Sequence, residues 1–500
     1  MDQSGISPNT SNQQLVINSD NESATALLQE KQARRSESLR DVTFVEYMTV
    51  GILCFVNLIN YMDRFTLAGV LADVKKEFNI GDDYAGLLQT VFVVAYMVFA
   101  PIFGYLGDRY SRRAIMAFGV ALWSLTTFVG SFIPNYAWFA VFRGLVGIGE
   151  ASYSTIAPTI ISDLFVGNVR TKMLAFFYFA IPVGSGMGYI VGSEAGAAAD
   201  NWRVGLRVTP FLGAVAVALI IWVMRDPERG AAEDSHMKPS SYSDDLRSLV
   251  RNPSFMLSTL AFTCVAFVTG ALAWWGPQFI YLGLKMQNDV DITLESVSYK
   301  FGLVCMGAGA TGVPLGSWLA QRLRAVCEDC DPVICGCALL ASAPLVYFAL
   351  IAISAHVALT YCLIFLGMIT LNLTWSIVAD IVLYVVIPPR RSTAEAFQIL
   401  ISHMLGDAGS PYLVGVISES LKRSLSMTYL EPPTESVQFR ALQYALFTTC
   451  FVEVIGGVFF LLTAIYIVRD KRRVDRAIAE AEAQTAEPSH SSAQEENASN

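Results

Sequence analysis

The sequence predicts an all-α membrane protein, with twelve transmembrane helices arranged as two six-helix bundles. Three observations carry that expectation. The 500-residue chain is 54% hydrophobic and only 15% charged, whereas soluble domains carry roughly 25% charge. Apolar runs of about 20 residues, enough to cross a bilayer as helices, recur twelve times. Short motifs of the first half also reappear, in the same order, in the second half.

Charge is concentrated at the ends, which leaves about 13% charged residues between positions 45 and 468. That is too little to cover a water-facing surface. Soluble enzymes and nucleic-acid-binding proteins are thereby excluded. The net charge of −9 arises mainly in tails and loops and carries no information about fold. Segments 1–44 and 469–500 are polar and are expected to be disordered cytosolic tails. The first apolar run starts near Val45, too late and too long for a cleavable signal. The nine cysteines are too scattered for a disulfide scaffold. Cys327, Cys330, Cys335 and Cys337 have metal-like spacing, but no histidine lies near and the second pair falls in an apolar run. No metal or other cofactor is therefore expected.

The spans follow in order. The first, 45–71, holds Asp63 and Arg64 well inside its length. Span 84–106 leads into a basic loop, and 114–133 follows. Span 136–163 carries Arg143 and Glu150. Spans 173–197 and 206–224 complete the first bundle, 45–224. A charged cytosolic loop, 225–253, leads to the second bundle, 254–468. Its spans are 254–284, 299–320, 333–354, 357–387 with Asn372 and Asp380, 393–417 with Glu395, His403 and Asp407, and 441–468 with Glu453. Lysines and arginines favour one set of alternate loops, around Arg109, Arg170, Arg225 to Arg251, Arg322 and Arg390. By the positive-inside rule that side, and with it both termini, is cytosolic.

The internal repeat supports the count independently. Pro101-Ile-Phe-Gly-Tyr-Leu-Gly-Asp-Arg109 is echoed by Pro314-Leu-Gly-Ser-Trp-Leu-Ala-Gln-Arg322. Arg170 to Phe176 is echoed by Arg391 to Phe397, and Gly186 to Gly192 by Gly409 to Gly415. Two bundles of the same topology, related by an axis along the membrane normal, place a substrate site between them near the bilayer midplane.

Ionisable residues inside spans are the sharper clue, because each costs about 2.5–3.5 kcal/mol at a helix centre and persists when paired or used. Asp63 and Arg64 are adjacent and point about 100° apart, so they cannot share a face; one is expected to meet a cavity and the other a neighbouring helix. Arg143 and Glu150 lie two turns apart on one face, with Gly147 and Gly149 permitting close packing. A buried carboxylate of this kind suits a proton carrier, and a structural Arg64–Glu150 ion pair is the alternative. Positions 395, 399, 403 and 407 form one stripe, where His403 can titrate, hydrogen-bond a head group or make a static contact. Glu453 has no obvious partner and is placed against the cavity.

The loop Gly104-Tyr-Leu-Gly-Asp-Arg-Tyr-Ser-Arg-Arg113 resembles the signature loop of the major facilitator superfamily, with Ser111 where that family usually has glycine. Gly104 is expected to permit close helix approach. Asp108, with Arg109, Arg112 and Arg113, is expected to form a latch that stabilises one of two bundle orientations. In the second half the acid is replaced by Gln321, so the latch should be asymmetric. Asn60-Tyr-Met-Asp-Arg-Phe-Thr66, Arg143 to Tyr153, Trp375 to Ile399 and His403 to Tyr412 resemble the Spinster branch of that superfamily, over roughly residues 45–468.

That resemblance implies a transporter of single-chain lipids, either sphingolipids such as sphingosine-1-phosphate or lysophospholipids leaving lysosomes. It implies head-group recognition by Arg64, proton coupling through Asp63 and Glu150, and a lipid-exporter histidine at His403. Asn60, Tyr153 and Asn372 are further candidate substrate contacts. The expected protein is a monomeric, non-enzymatic membrane carrier whose partners are lipid, protons and the bilayer. A late endosomal or lysosomal membrane is expected, with the plasma membrane as the alternative. A carrier of a small polar solute and a non-transporting sensor or scaffold are the competing functions.

Overall fold

The computed structural model describes residues 42–165, 167–224, 242–287, 292–387, 390–426 and 434–486. The first half of the chain folds into α1 (Phe44–Gly69), α2 (Leu71–Phe78), α3 (Asp82–Arg109), α4 (Arg112–Gly130), α5 (Tyr136–Leu164), α6 (Gly167–Ala198) and α7 (Trp202–Trp222). The second half contains α8 (Tyr242–Val250), α9 (Pro253–Lys285), α10 (Leu294–Leu323), α11 (Cys330–Ala352), α12 (Val357–Val385), α13 (Arg391–Ser402), α14 (Ser410–Leu425) and α15 (Glu435–Ala486). Ten of these are long and apolar enough to cross a membrane. Helix α5 carries Arg143 and Glu150, and α13–α14 is interrupted, so neither registers as an unbroken apolar span; with them the count is twelve. Helices suit this setting because each satisfies its own backbone polar groups within lipid.

Local sequence sets the ends. Thr43 and Glu46 close a reciprocal capping box at the start of α1. Asn135, Asn252 and Thr293 cap α5, α9 and α10 with side-chain oxygens, and Pro253 fits the first helical position of α9. Asn79, with φ 51°, ends α2 in the left-handed conformation.

Three boundaries differ from expectation. Span 393–417 is not one helix: a π-helical turn, His403–Asp407, separates α13 from α14, and α14 continues to Leu425. Lys422 and Arg423, beyond the expected end of that span, are therefore helical. Residues 469–486, expected to be disordered, continue α15. There the Asp470 carboxylate accepts hydrogen bonds from the backbone and hydroxyl of Ser254 at the start of α9, and Arg472 pairs with Glu328 at 3.0 Å. Polar partners on the adjoining surface, with the buried Val474, hold this stretch in the helix. The tail 1–41 and most of the 225–253 loop lie outside the described residues.

The two halves meet along two seams, α6 against α10 and α3 against α14. The repeat exchanges these seams, since α6 corresponds to α14 and α3 to α10. Each seam is close because glycine lies in it. A Cβ on Gly186 would reach 2.5 Å from the Gly302 carbonyl, and one on Gly302 would reach 2.5 Å from the Gly186 carbonyl. A Cβ on Gly86 would collide with the Pro411 carbonyl.

All hydrogen bonds and ion pairs that join described residues of the two halves lie between mid-depth and the end opposite the N- and C-terminal tails (hereafter the far end). Ser298 Oγ donates to the Gly69 carbonyl at 2.9 Å, and Tyr189 to the Ala273 carbonyl at 2.6 Å. Around Asp82, Ser418 donates at 2.7 Å and Lys422 is paired, as is Lys75 of the same half. Asp82 and Lys422 are both buried. These bonds close the molecule at its far end.

Candidate functional site

The charged residues inside the first bundle form one connected cluster. Arg64 Nη2 lies 3.0 Å from Glu150 Oε2, joining α1 to α5. Asp63 points the other way, as adjacent helical positions require. It accepts hydrogen bonds from Thr127 of α4 at 3.1 Å and from Thr209 of α7. Arg143 donates to the Arg64 carbonyl at 3.1 Å and stands 3.9 Å from Asp63. Both guanidiniums lie over the Phe92 ring, 5.0 Å away for Arg64 and 4.7 Å for Arg143. Arg64 also lies over Tyr61 at 4.9 Å and Tyr96 at 5.5 Å. Two acids and two arginines therefore offset one another's charge while buried.

The balance is incomplete. Arg64 Nε, Glu150 Oε1 and Asn60 Nδ2 are buried without a hydrogen-bond partner. Orphaned polar atoms cost free energy in such surroundings, and together they make a group able to receive a polar ligand head. Asn60 thus lies beside Arg64 on α1 with donor capacity to spare.

The second half contributes the π-helical turn. His403 Nδ1 lies 2.8 Å from Asp407 Oδ1, and its ring meets Tyr96 edge-on at 5.9 Å. Thr90 of α3 donates to the Ala408 carbonyl beside it. The stripe 395–407 is thereby resolved: His403 and Asp407 form a pair, while Glu395 and Ile399 are exposed.

Other expected site residues fall elsewhere. Tyr153 is fully buried in the first bundle, donates to the Leu53 carbonyl and packs against Trp123. It fastens α5 to α1 and faces no space between the halves. Asn372 donates to its own helix at Met368, 2.7 Å, with its Cβ close to Gly312 of α10. Glu453 is fully buried within the second bundle, where it accepts from Ser342 at 2.9 Å, and does not line the seam. Asp380 lies near the tail end, 2.7 Å from Arg324.

The latch is also corrected in detail. A Cβ on Gly104 would meet nothing within 4 Å, so this glycine supports no close approach in this conformation. Arg109 is exposed and stacks 3.7 Å from the Tyr105 ring centroid, and Arg113 donates to the Met224 carbonyl at 3.4 Å. The Asp108 side chain lies outside the described residues. Arg112 pairs with Asp163 at the end of α5. The second half has a counterpart, Arg324 with Asp380 at the corresponding end of α12. Loss of the acid at Gln321 therefore leaves this ion pair symmetric.

The sequence argument also missed Tyr96, Phe92, Asp82 and Asp163. The two aromatic residues look like any others in an apolar span, and the partners of both acids are remote or came without a recognisable spacing. Among the described residues no group of three or more metal-ligating side chains converges.

Residues 53–410 match the family model of the Major Facilitator Superfamily. The same architecture occurs in a crystal structure of a bacterial homolog to the human lysosomal transporter Spinster, in an inward-facing and unoccupied conformation. The TM-score is 0.75 at 19% identity, covering 86% of this chain and 99% of that one. A D-xylose-proton symporter matches with a TM-score of 0.61 at 13% identity, over 84% of this chain and 97% of that one. At these identities both likenesses bear on fold alone. The fold and the family match define a membrane transporter of the major facilitator class, not an enzyme.

Two similar sequences narrow this. "Protein spinster" of Drosophila melanogaster is 56% identical over 483 residues, covering 88% of this chain and 80% of that protein. "Protein spinster homolog 1" of Homo sapiens is 52% identical over 438 residues, covering 85% and 82%. The chain belongs to the Spinster family.

Proposed function

We propose that this chain carries single-chain lipids by alternating access, either sphingolipids such as sphingosine-1-phosphate or lysophospholipids. In this proposal it is coupled to protons and acts in late endosomal or lysosomal membranes, with its tail end toward the cytosol. The observation that supports this most is the buried Arg64–Glu150 pair with unpaired atoms on both partners. A phosphate presented to Arg64 would take up its free N–H and compete with Glu150 for the rest of the fork. Protonation of Glu150 would release Arg64 to the phosphate, and loss of that proton would return it. Asn60 would add a donor to the same head group. Asp63, held by two threonines and Arg143, is the second acid that would take part.

The driving force is sufficient. One pH unit supplies about 1.4 kcal/mol per proton, so a compartment two units more acidic gives roughly 2.7 kcal/mol, about a hundredfold in concentration. The described bacterial relative is called a homolog to a human lysosomal transporter, which agrees with that compartment.

Uptake of labelled lysophosphatidylcholine and sphingosine-1-phosphate into vesicles containing the purified protein, with an imposed pH step, tests the proposal. Glu150→Gln should abolish the pH dependence of uptake while the protein remains folded, and Arg64→Ala should abolish uptake of both lipids. Unchanged pH dependence in the first variant would remove the proton role. Wild-type rates in the second would remove Arg64 from the site.

A further inference from the structure

The polar cluster of the first half and the His403–Asp407 pair of the second are joined by no hydrogen bond or ion pair among the described residues. The Tyr96 side chain reaches both. The Tyr96 ring carries the Arg64 guanidinium at 5.5 Å and meets the His403 ring edge-on at 5.9 Å. Its backbone packs against α5, where a Cβ on Gly147 would lie 3.2 Å from the Tyr96 amide nitrogen, and Ser154 of that helix donates to the Glu150 carbonyl at 2.8 Å. Tyr96 therefore contacts the α1 arginine, the α5 segment of Glu150 and the second-half turn at once.

Two features make this contact able to transmit a displacement. Thr90, nearly two turns earlier on α3, is hydrogen-bonded to the Ala408 carbonyl, which gives α3 and the turn a common fixed point. The turn itself is a π-helical one, with the Ala408 amide donating to the His403 carbonyl at 2.9 Å. Such widened turns interrupt the regular α ladder and are places where a helix readjusts. A ring displaced at one edge then presses on the imidazole at the other, whose side chain is 27% exposed.

We propose that Tyr96 is a positioning residue that transmits the state of the Arg64–Glu150 pair in one half to the His403–Asp407 pair in the other. A carrier must favour one orientation of its halves when loaded, and a ligand shifts such an equilibrium only by interacting differently with the two states. A ring shared by both halves supplies that difference. The proposal takes Arg64–Glu150 as the cargo pair from the function proposed above, but the coupling itself requires no particular cargo.

The test uses the full chain in lipid nanodiscs with 13C-labelled histidine. The sequence has four histidines, so the His403 signal is assigned by its loss in His403→Gln. In the first arm, without lipid, Glu150→Gln should shift the His403 signal when residue 96 is tyrosine. The shift should persist in a Tyr96→Phe background, where the ring remains, and vanish in Tyr96→Leu. A second aliphatic background, Tyr96→Met, should behave as Tyr96→Leu does, which separates loss of the ring from misfolding of one variant. An equal His403 shift in the aliphatic backgrounds, or none with tyrosine present, would overturn the proposal. In the second arm, lysophosphatidylcholine is added to wild type and should produce a His403 shift that Tyr96→Leu lacks. No binding in the second arm, with the first arm positive, would count against the lipid assignment and leave the coupling standing.

Discussion

The guanidinium of Arg64 and the carboxylate of Glu150 meet at 3.0 Å inside the first bundle, with side chains 9% and 0% exposed. Removing one partner of such a pair strands a charge, whereas replacing both with apolar residues of similar volume is often nearly neutral. Glu150→Ala should therefore lower stability by about 3–5 kcal/mol. The double variant Arg64→Met/Glu150→Leu should regain most of that loss. Thermal unfolding of the detergent-solubilised variants checks both; equal losses in the single and double variants would mean that the pair does not act as a unit.

The far-end seam between α6 and α10 closes on Gly186 and Gly302. A branched side chain there cannot fit without moving a backbone, and overpacking of this kind costs about 1–3 kcal/mol. Gly302→Val should disfavour closure of the far end by that amount while leaving each bundle folded. Distances between labels placed on the far-end loops of the two halves should lengthen. An unchanged distance distribution would show that the seam yields more easily than its geometry implies.

Asp82 holds the other seam, with Lys75, Lys422 and Ser418 converging on it. Asp82→Ala would leave two largely buried ammonium groups without their shared partner, at a cost of about 3–5 kcal/mol. Hydrogen exchange in residues 418–425 should accelerate in this variant relative to the rest of the second half. Lys422→Met, introduced together with it, should restore part of the protection.

Closure of the far end should also respond to pH through Asp73 on α2. Burial raises its carboxyl above the usual value, the facing charge of Glu295 raises it further, and Lys76 offsets part of this. Glu77, Asp200 and Arg203 line the same cavity of about 530 Å³. Separating the halves would hydrate Asp73 and remove Glu295 from its neighbourhood, so the closed end binds the proton more tightly. Closure should therefore strengthen as pH falls through the raised value and weaken as pH rises above it. Label distances across the far end, followed from pH 7.5 to pH 5, should show this shift in the wild type and a smaller one in Asp73→Asn. An identical shift in that variant would exclude Asp73 as its source.

Much of the architecture was legible in the chain. Every expected span corresponds to helix, because a run of about 20 apolar residues has few alternatives in a bilayer. The exceptions have local causes. Helix α2 is only 8 residues long and mixes Lys75, Lys76 and Glu77 with its apolar side, so it gives no span signal. The π-helical turn at His403 packs against α9, where Gly406 lies against Thr263 and Phe267, a tertiary contact that the local sequence does not reveal. The site was legible in its charges. Arg64, Glu150, Asp63 and Arg143 stood out because ionised groups are rare inside spans. The motif around Tyr153 did not reveal which face of α5 turns inward, and the structure buries that side chain against α1.

By itself the sequence determined the membrane-spanning class, the twelve helices, the repeat and the presence of a charged cluster within the first bundle. These follow from composition and periodicity along one chain, and helix formation in lipid is a local response to both. Only the tertiary structure decided that Asp63 turns to Thr127 and Thr209 while Arg64 turns to Glu150, that Asp82 finds Lys422, and that Tyr96 reaches His403. Those pairings are set by the rotation and spacing of helices distant in sequence, and side-chain packing between the halves fixes them.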